Sequence, residues 1–315
     1  MSDHHLEQAL PPDSEQPSSP ACRICGASTT PVAVVYGSFS KRDYHLARCS
    51  ECGFAFIVDP WLDFAQIYDE SYYSGRGADP LADYRYELEH PERTIRRYEW
   101  DGIATVVADL LATRERATQA PSGGDLRWLD YGCGNGGLVR HLRARQGVDA
   151  FGFDEGAITA EASLRGTPTL SADDLVASAG SFDVVTAIEV LEHTLDPVTE
   201  LRRIRRLLRP GGLFFLTTGN AEPYARRLDR WRYVLPELHI SYFEPRTLDR
   251  ALTLAGFRPE HRQLGPGFDL ILKFKVLKNL RFRRRSVFTD AFPASVAALA
   301  DRRTRLSEHP VGWAS

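Results

Sequence analysis

Four cysteines stand as two C-x-x-C pairs, Cys22/Cys25 and Cys49/Cys52, and each pair is followed by a glycine, Gly26 and Gly53. Four thiolates at this spacing can close a tetrahedral shell on Zn²⁺, and in a module too small for its own core the metal supplies folding energy directly. The zinc expected here is structural, because four cysteine ligands leave no position for water or substrate. Two disulfides are the alternative. The N-terminus shows no apolar stretch of the secretory kind, so a reducing, cytoplasmic setting is expected, and there thiols favour metal. The fifth cysteine, Cys133, reads as a small residue within a turn.

That turn is the second constellation, Leu129-Asp130-Tyr131-Gly132-Cys133-Gly134-Asn135-Gly136-Gly137. Glycines at 132, 134 and 136 let the chain bend tightly and let a ligand approach where a Cβ would intrude, while the following helix start offers free N–H groups. The letters also satisfy G-x-G-x-x-G, so a dinucleotide site is one reading. Asp130 argues against it: a carboxylate beside the turn repels a pyrophosphate and attracts the ammonium and sulfonium of S-adenosylmethionine. Asp154 closes the next apolar run, Phe151-Gly152-Phe153, where a carboxylate can accept both ribose hydroxyls; a helix N-cap is its other reading.

These residues need elements to hold them. The chain has 315 residues, enough for one large α/β domain and a small accessory module. Hydrophobic content of 43%, charged content of 26% and a net charge of −3 describe an ordinary soluble protein without global attraction to polyanions, and no apolar run reaches membrane-span length. Residues 1–20, rich in Pro, Ser and Gln, read as a disordered tail, with His4 and His5 solvated. Residues 21–60 read as the zinc ribbon, and 61–123 as a helical lead-in whose Ile95, Tyr98, Ile103, Val106 and Leu110 share one face. From residue 124 to 275 strands and helices alternate. Strands are expected at Arg127–Tyr131, Ala150–Asp154, Phe182–Ile188 and Leu213–Thr218, and helices at Gly137–Arg145, Ile158–Leu164 and Pro197–Leu208, with Pro210-Gly211-Gly212 as a breaker. Repeated β-α-β of this kind demands a parallel sheet covered on both faces. Residues 276–315 form a basic C-terminal extension.

Asp130 to Gly137, Asp154, Phe182-Asp183-Val184-Val185, Glu189-Val190-Leu191-Glu192-His193 and Leu208-Arg209-Pro210-Gly211-Gly212 resemble, in order and spacing, the successive motifs of class I S-adenosylmethionine-dependent methyltransferases. The resemblance covers roughly residues 124–260. It implies a Rossmann-like seven-stranded sheet, mostly parallel with an antiparallel last strand, and a cofactor lying across the carboxyl ends of the strands. It also implies donor contacts from Asp130, Gly132, Gly134, Gly136, Asp154 and Glu189, with Asp173 or Asp174 near the adenine unless Asp-Asp-Leu is a surface helix start. The ribbon, with Asp59-Pro60 and Tyr68-Asp69-Glu70-x-Tyr72-Tyr73-x-Gly75, is similar to bacterial methyltransferases of sugar, polysaccharide and natural-product pathways. Their sugar C-methylating members carry a second large domain that a chain of this length is not expected to hold, so a simple O-methyltransferase, or an N-methyltransferase, is the expectation, with O-methylation of a small hydroxylated acceptor favoured.

Methyl transfer is an in-line displacement needing alignment, exclusion of water and, for a hydroxyl nucleophile, a base. His193 and His239 are the candidate catalytic residues. Tyr72, Tyr73, Trp231 and Tyr242 are candidates for an aromatic acceptor pocket. Lys273 to Arg285 holds seven basic residues and no acid, a footprint for RNA, a nucleotide-sugar diphosphate or an anionic membrane face, or else a solvated helix face. An rRNA or tRNA methyltransferase is therefore the rival enzyme, and a non-catalytic scaffold the rival of another class. Against RNA, residues 21–60 carry only Arg23, Lys41, Arg42 and Arg48.

Overall fold

The computed structural model describes residues 20–77, 79, 83–118, 125–261 and 267–295; the expected N-terminal tail and the end of the basic extension lie outside them. The first elements among the described residues are an antiparallel hairpin, β1 (Thr29–Gly37) and β2 (Arg42–Cys49), followed by β3 (Ala55–Ile57). The lead-in is helical: α1 (Phe64–Ile67), α2 (Glu70–Tyr73), α3 (Tyr84–Glu89) and the long α4 (Arg96–Thr118). Asp69 and Asp83 cap α2 and α3 by accepting the N–H groups of Tyr72 and Tyr86.

The core alternates as its sequence demands, through β4 (Leu126–Tyr131), α5 (Gly137–Arg143), β5 (Val148–Phe153), α6 (Ala157–Leu164), α7 (Ala172–Ala177), β6 (Phe182–Ile188), α8 (Pro197–Leu207) and β7 (Leu208–Thr217). Strand order is β5-β4-β6-β7, all parallel. Phe182 pairs with Leu208 but Val184 with Leu213, so Arg209 to Gly212 is extruded as a bulge and β7 starts earlier than the breaker suggested. After β7 come β8 (Ser241–Tyr242), α9 (Pro245–Leu254), α10 (Phe268–Asn279) and α11 (Val287–Ala291).

Three expectations are revised. Among the described residues the parallel sheet has four strands rather than seven, because β8 pairs with β3 of the ribbon instead (Ala55 with Tyr242, Phe56 with Ser241). The ribbon is therefore not a free-standing 21–60 unit. Cys49, Cys52, Phe54 and Phe56 share one apolar cluster with Leu129, Phe214 and Leu248, and Thr247 donates to the Cys52 carbonyl at 2.6 Å. The boundary expected at 275/276 falls inside α10, which packs along α4; Phe268 and Ile271 enter the same cluster as Ile103, Val107 and Leu110. Among the described residues no helix is long and apolar enough to cross a membrane.

Candidate active site

Four parallel strands end on one side, and Gly132, Asp154, Glu189 and Thr218 follow β4, β5, β6 and β7 directly. A cavity of about 1210 Å³ opens there, on the large side for ligand sites, which run roughly 300–1,000 Å³. It has room for more than one reactant.

The glycine turn forms one end. Gly132 and Gly134 have φ of 78° and 51°, and a Cβ on Gly132 would meet Val190 at 2.4 Å, so a side chain is excluded by conformation and by contact. Asn135 secures the turn: its side chain accepts from Gly137 N and donates to the Tyr84 carbonyl and to Glu87 Oε2. Asp154 braces it from β5, accepting from Gly134 N at 2.9 Å and Gly156 N at 2.6 Å. Each carboxylate oxygen keeps a second lone pair, so bracing the turn leaves Asp154 able to accept from a ribose.

Asp130 is buried, accepts from Thr186 Oγ1 at 2.8 Å, and is pushed up to about 7 by burial. Glu99, on α4, pairs with Arg96 at 2.8 Å through Oε2, while its buried Oε1 has no partner among the described residues. Both line the cavity. An orphaned carboxylate oxygen beside a second buried carboxyl makes this end suited to a cation, the charge an S-adenosylmethionine ammonium and sulfonium carry.

The other end is built from the segment after β6 and the loop before β8. Glu189 takes φ 56°, a conformation that costs a non-glycine residue about 1–2 kcal/mol, and it is held there by several bonds. Its backbone N–H donates to the Thr217 carbonyl, and its carboxylate accepts from Thr217 Oγ1 at 2.8 Å, Lys275 Nζ at 2.8 Å and Tyr233 OH at 3.0 Å. The Lys275 ammonium holds Glu189 ionised, well below the usual carboxylate range, against the burial that opposes it. Glu192 is fully buried, bonded to Thr218 Oγ1 and to Tyr233 OH, and burial with the Glu189 charge raises it to about 8. A phenol has one proton, so the Tyr233 hydroxyl is shared as donor between the two carboxylates.

His193 and His239 come together with ring centroids 5.0 Å apart. His193 Nδ1 lies 2.9 Å from the Leu238 carbonyl and His239 Nδ1 2.6 Å from the Tyr233 carbonyl, so Nδ1 carries the proton in each ring and Nε2 the lone pair. Burial lowers His193 to about 3 and lowers His239 as well. Glu192, His193 and His239 each offer one ligand atom within 4.8 Å of the others. Two imidazoles fixed through Nδ1 and a carboxylate are a donor set that suits a divalent cation.

Of the sequence-predicted residues, Asp130, Gly132, Gly134, Asp154, Glu189, His193 and His239 all line the cavity. Gly136 does not line it; it is the N-cap just before α5, where a Cβ would strike Thr167. Asp173 is corrected too: it is exposed on the first turn of α7, and Asp174 is engaged with Ser171 in a capping box, so neither is among the cavity residues. Tyr72, Tyr73 and Trp231 line the cavity, whereas Tyr242 is buried behind it and donates to the His239 carbonyl at 2.5 Å. Tyr68, Tyr84 and Tyr233 add to the aromatic lining and Glu99 and Lys275 to the charged one; Tyr68 falls in the Tyr68 to Gly75 motif and Lys275 in the basic run, whereas no motif marked Tyr84, Tyr233 or Glu99.

At the ribbon, Cys22 and Cys52 sulfurs are 3.6 Å apart, and those of Cys25 and Cys49 3.5 Å. No disulfide joins them. Zn–S bonds of about 2.3 Å in a tetrahedron put sulfurs roughly 3.8 Å apart, so the four thiols fit a structural Zn²⁺ with little adjustment.

Residues 95–262, just over half of the chain, match the protein family described as "Methyltransferase domain". The chain belongs to this family. A ubiquinone biosynthesis O-methyltransferase of Cereibacter sphaeroides is 42% identical over 110 residues, 31% of this chain and 43% of that protein. One of Psychrobacter arcticus is 35% identical over 149 residues, 41% of this chain and 58% of that protein. The chain thus spans about half the length of these curated relatives. A solved S-adenosylmethionine dependent methyltransferase from Mesorhizobium loti is 20% identical, with a TM-score of 0.42 over 63% of this chain and 94% of that one.

Proposed function

We propose that this chain transfers the methyl group of S-adenosylmethionine to the hydroxyl of a small acceptor. The observation that carries the reading is one cavity with a glycine turn and three carboxylates (Glu99, Asp130, Asp154) at one end and two Nδ1-anchored histidines at the other. Both relatives described above are named O-methyltransferases, which supports oxygen as the nucleophile. The resemblance of the ribbon supports a sugar derivative or natural-product intermediate as acceptor, in a cytoplasmic setting.

In the reaction the acceptor oxygen attacks the methyl carbon in line with the sulfonium, the C–S bond breaks with its electron pair passing to sulfur, and the hydroxyl proton leaves to a base. Burial makes His193 too weak a base near neutral pH, so its Nε2 orients the hydroxyl, and His239 takes the proton. A second reading rests on the close approach of Glu192, His193 and His239: a divalent cation held there would polarise the acceptor hydroxyl in place of a base.

The rival RNA reading loses ground. Arg23 donates to the Ile57 carbonyl and lies over Phe56, Arg42 donates to the Asp59 carbonyl, and Arg48 pairs with Glu244, so three of the four ribbon cations are engaged within the fold. Incubation with labelled S-adenosylmethionine and panels of phenols, sugar phosphates and RNA tests the proposal. Label in a small hydroxylated product supports it; label only in RNA would refute it.

A further inference from the structure

The basic run Lys273 to Arg285 divides once it is folded. Lys273 donates to the Asp290 carbonyl at 3.1 Å, Lys275 pairs with Glu189 at 2.8 Å, and Lys278 stands 3.7 Å from Asp79. Arg283 lies 3.4 Å from Asp83, Arg284 4.7 Å over the Tyr86 ring, and Arg285 2.9 Å from Asp290. Arg281 is different. It sits in a left-handed conformation (φ 64°) just past α10 and is exposed; its backbone N–H donates to the Lys278 carbonyl at 2.9 Å, and its side chain has no hydrogen-bond or ion-pair partner among the described residues.

Arg232 is likewise exposed and without such a partner among the described residues. It precedes Tyr233, whose ring centroid lies 4.0 Å from that of His239. Arg232, Lys275, Lys278 and Arg281 all line the cavity. Glu189 and Asp79 offset two of these four charges. The C-terminus of α10 contributes only about half a negative charge, so this wall remains positive. The opposite end, with Asp130, Asp154 and Glu99, is negative. One cavity therefore holds a cation-seeking end and an anion-seeking end, and the anion-seeking end is the one beside the histidines. Two uncommitted guanidinium forks are the groups that grip phosphate oxygens in bidentate fashion.

We infer that Arg232 and Arg281, assisted by Lys278, bind a phosphate or diphosphate group carried by the methyl acceptor. The inference rests on the methyl-transfer reading and narrows its substrate class to phosphorylated hydroxyl compounds.

The test is calorimetric titration of inorganic pyrophosphate into the full-length protein loaded with S-adenosylhomocysteine, beside the double variant Arg232→Gln/Arg281→Gln. Both side chains are exposed, so the variant should keep the wild-type Tm. The expected result is salt-sensitive binding by the wild type and at least tenfold weaker binding by the variant, with S-adenosylhomocysteine affinity unchanged. Absence of pyrophosphate binding at low salt, or equal binding by both proteins, would overturn the inference. RNA binding without pyrophosphate binding would overturn it as well. Failure of both proteins to take up S-adenosylhomocysteine would instead strike the methyl-transfer reading, since pyrophosphate binding to the unloaded protein is measured separately.

Discussion

Glu237 Oε1 accepts three hydrogen bonds at the tip of the β1–β2 hairpin: from Ser40 N at 3.1 Å, Ser40 Oγ at 3.0 Å and Phe39 N at 3.0 Å. Glu237 lies two residues before His239, and β8 follows with its pairing to β3. The zinc module is thereby a wall of the loop that presents a candidate catalytic histidine. Removing this carboxylate leaves three donors without a partner. Glu237→Ala should speed hydrogen exchange across 236–243 and leave S-adenosylhomocysteine affinity within about twofold, because the donor end touches neither residue. Unchanged exchange would show that the hairpin does not hold the loop.

Metal removal should act through the same contact. Protein as purified is expected to carry about one Zn per chain, as a four-thiolate site requires. Stripping it should lower Tm and loosen 236–243 together, since Cys49 and Cys52 lie in the apolar cluster that joins ribbon to core. A metal-free protein with wild-type Tm and exchange would contradict the assignment.

Asp130 fixes a pH dependence. Its ordinary value of 3.8 is raised to about 7 in the fold, so the native state holds a proton that the unfolded chain has lost, and ligand-free stability falls as pH rises from about 4 to about 7. A bound ammonium favours the ionised form. Donor affinity should therefore rise with pH between 5.5 and 7, approaching about tenfold per pH unit, and flatten above. Asp130→Asn should abolish the slope. A wild-type affinity independent of pH over this range would show that Asp130 does not meet the ligand's charge.

Asp154→Ala should weaken S-adenosylmethionine binding by an order of magnitude or more, about 1.4 kcal/mol, because the change removes both the brace on Gly134 and the proposed ribose acceptor. Unchanged affinity would sink the assignment.

His239→Gln should reduce kcat by about 10²- to 10⁴-fold with little effect on donor affinity. If Mn²⁺ instead binds the wild type at Glu192, His193 and His239 and activates it, the loss will be accompanied by loss of Mn²⁺ affinity. An unchanged kcat would remove His239 from the reaction in either reading.

What could be read in advance was what short-range spacing encodes. The cysteine pairs, the glycine turn and the four core strands are each set within a few residues, and β6 runs from Phe182 to Ile188 as the apolar run indicated. Asp173 falls on the first turn of α7, and Ser171-x-x-Asp174 spells the capping box that starts that helix. Other features have no local signature. β8 is two residues long and has no periodicity to detect; its partner lies nearly two hundred positions earlier. Tyr233 and Lys275 look like packing and surface residues until the fold brings both onto Glu189.

The central claim is that the cavity binds S-adenosylmethionine, and calorimetric titration of the purified protein with S-adenosylmethionine and S-adenosylhomocysteine tests it most directly. Binding of both at one site per chain with micromolar affinity is the predicted result. Absence of binding by either ligand to folded, zinc-loaded protein would contradict the account.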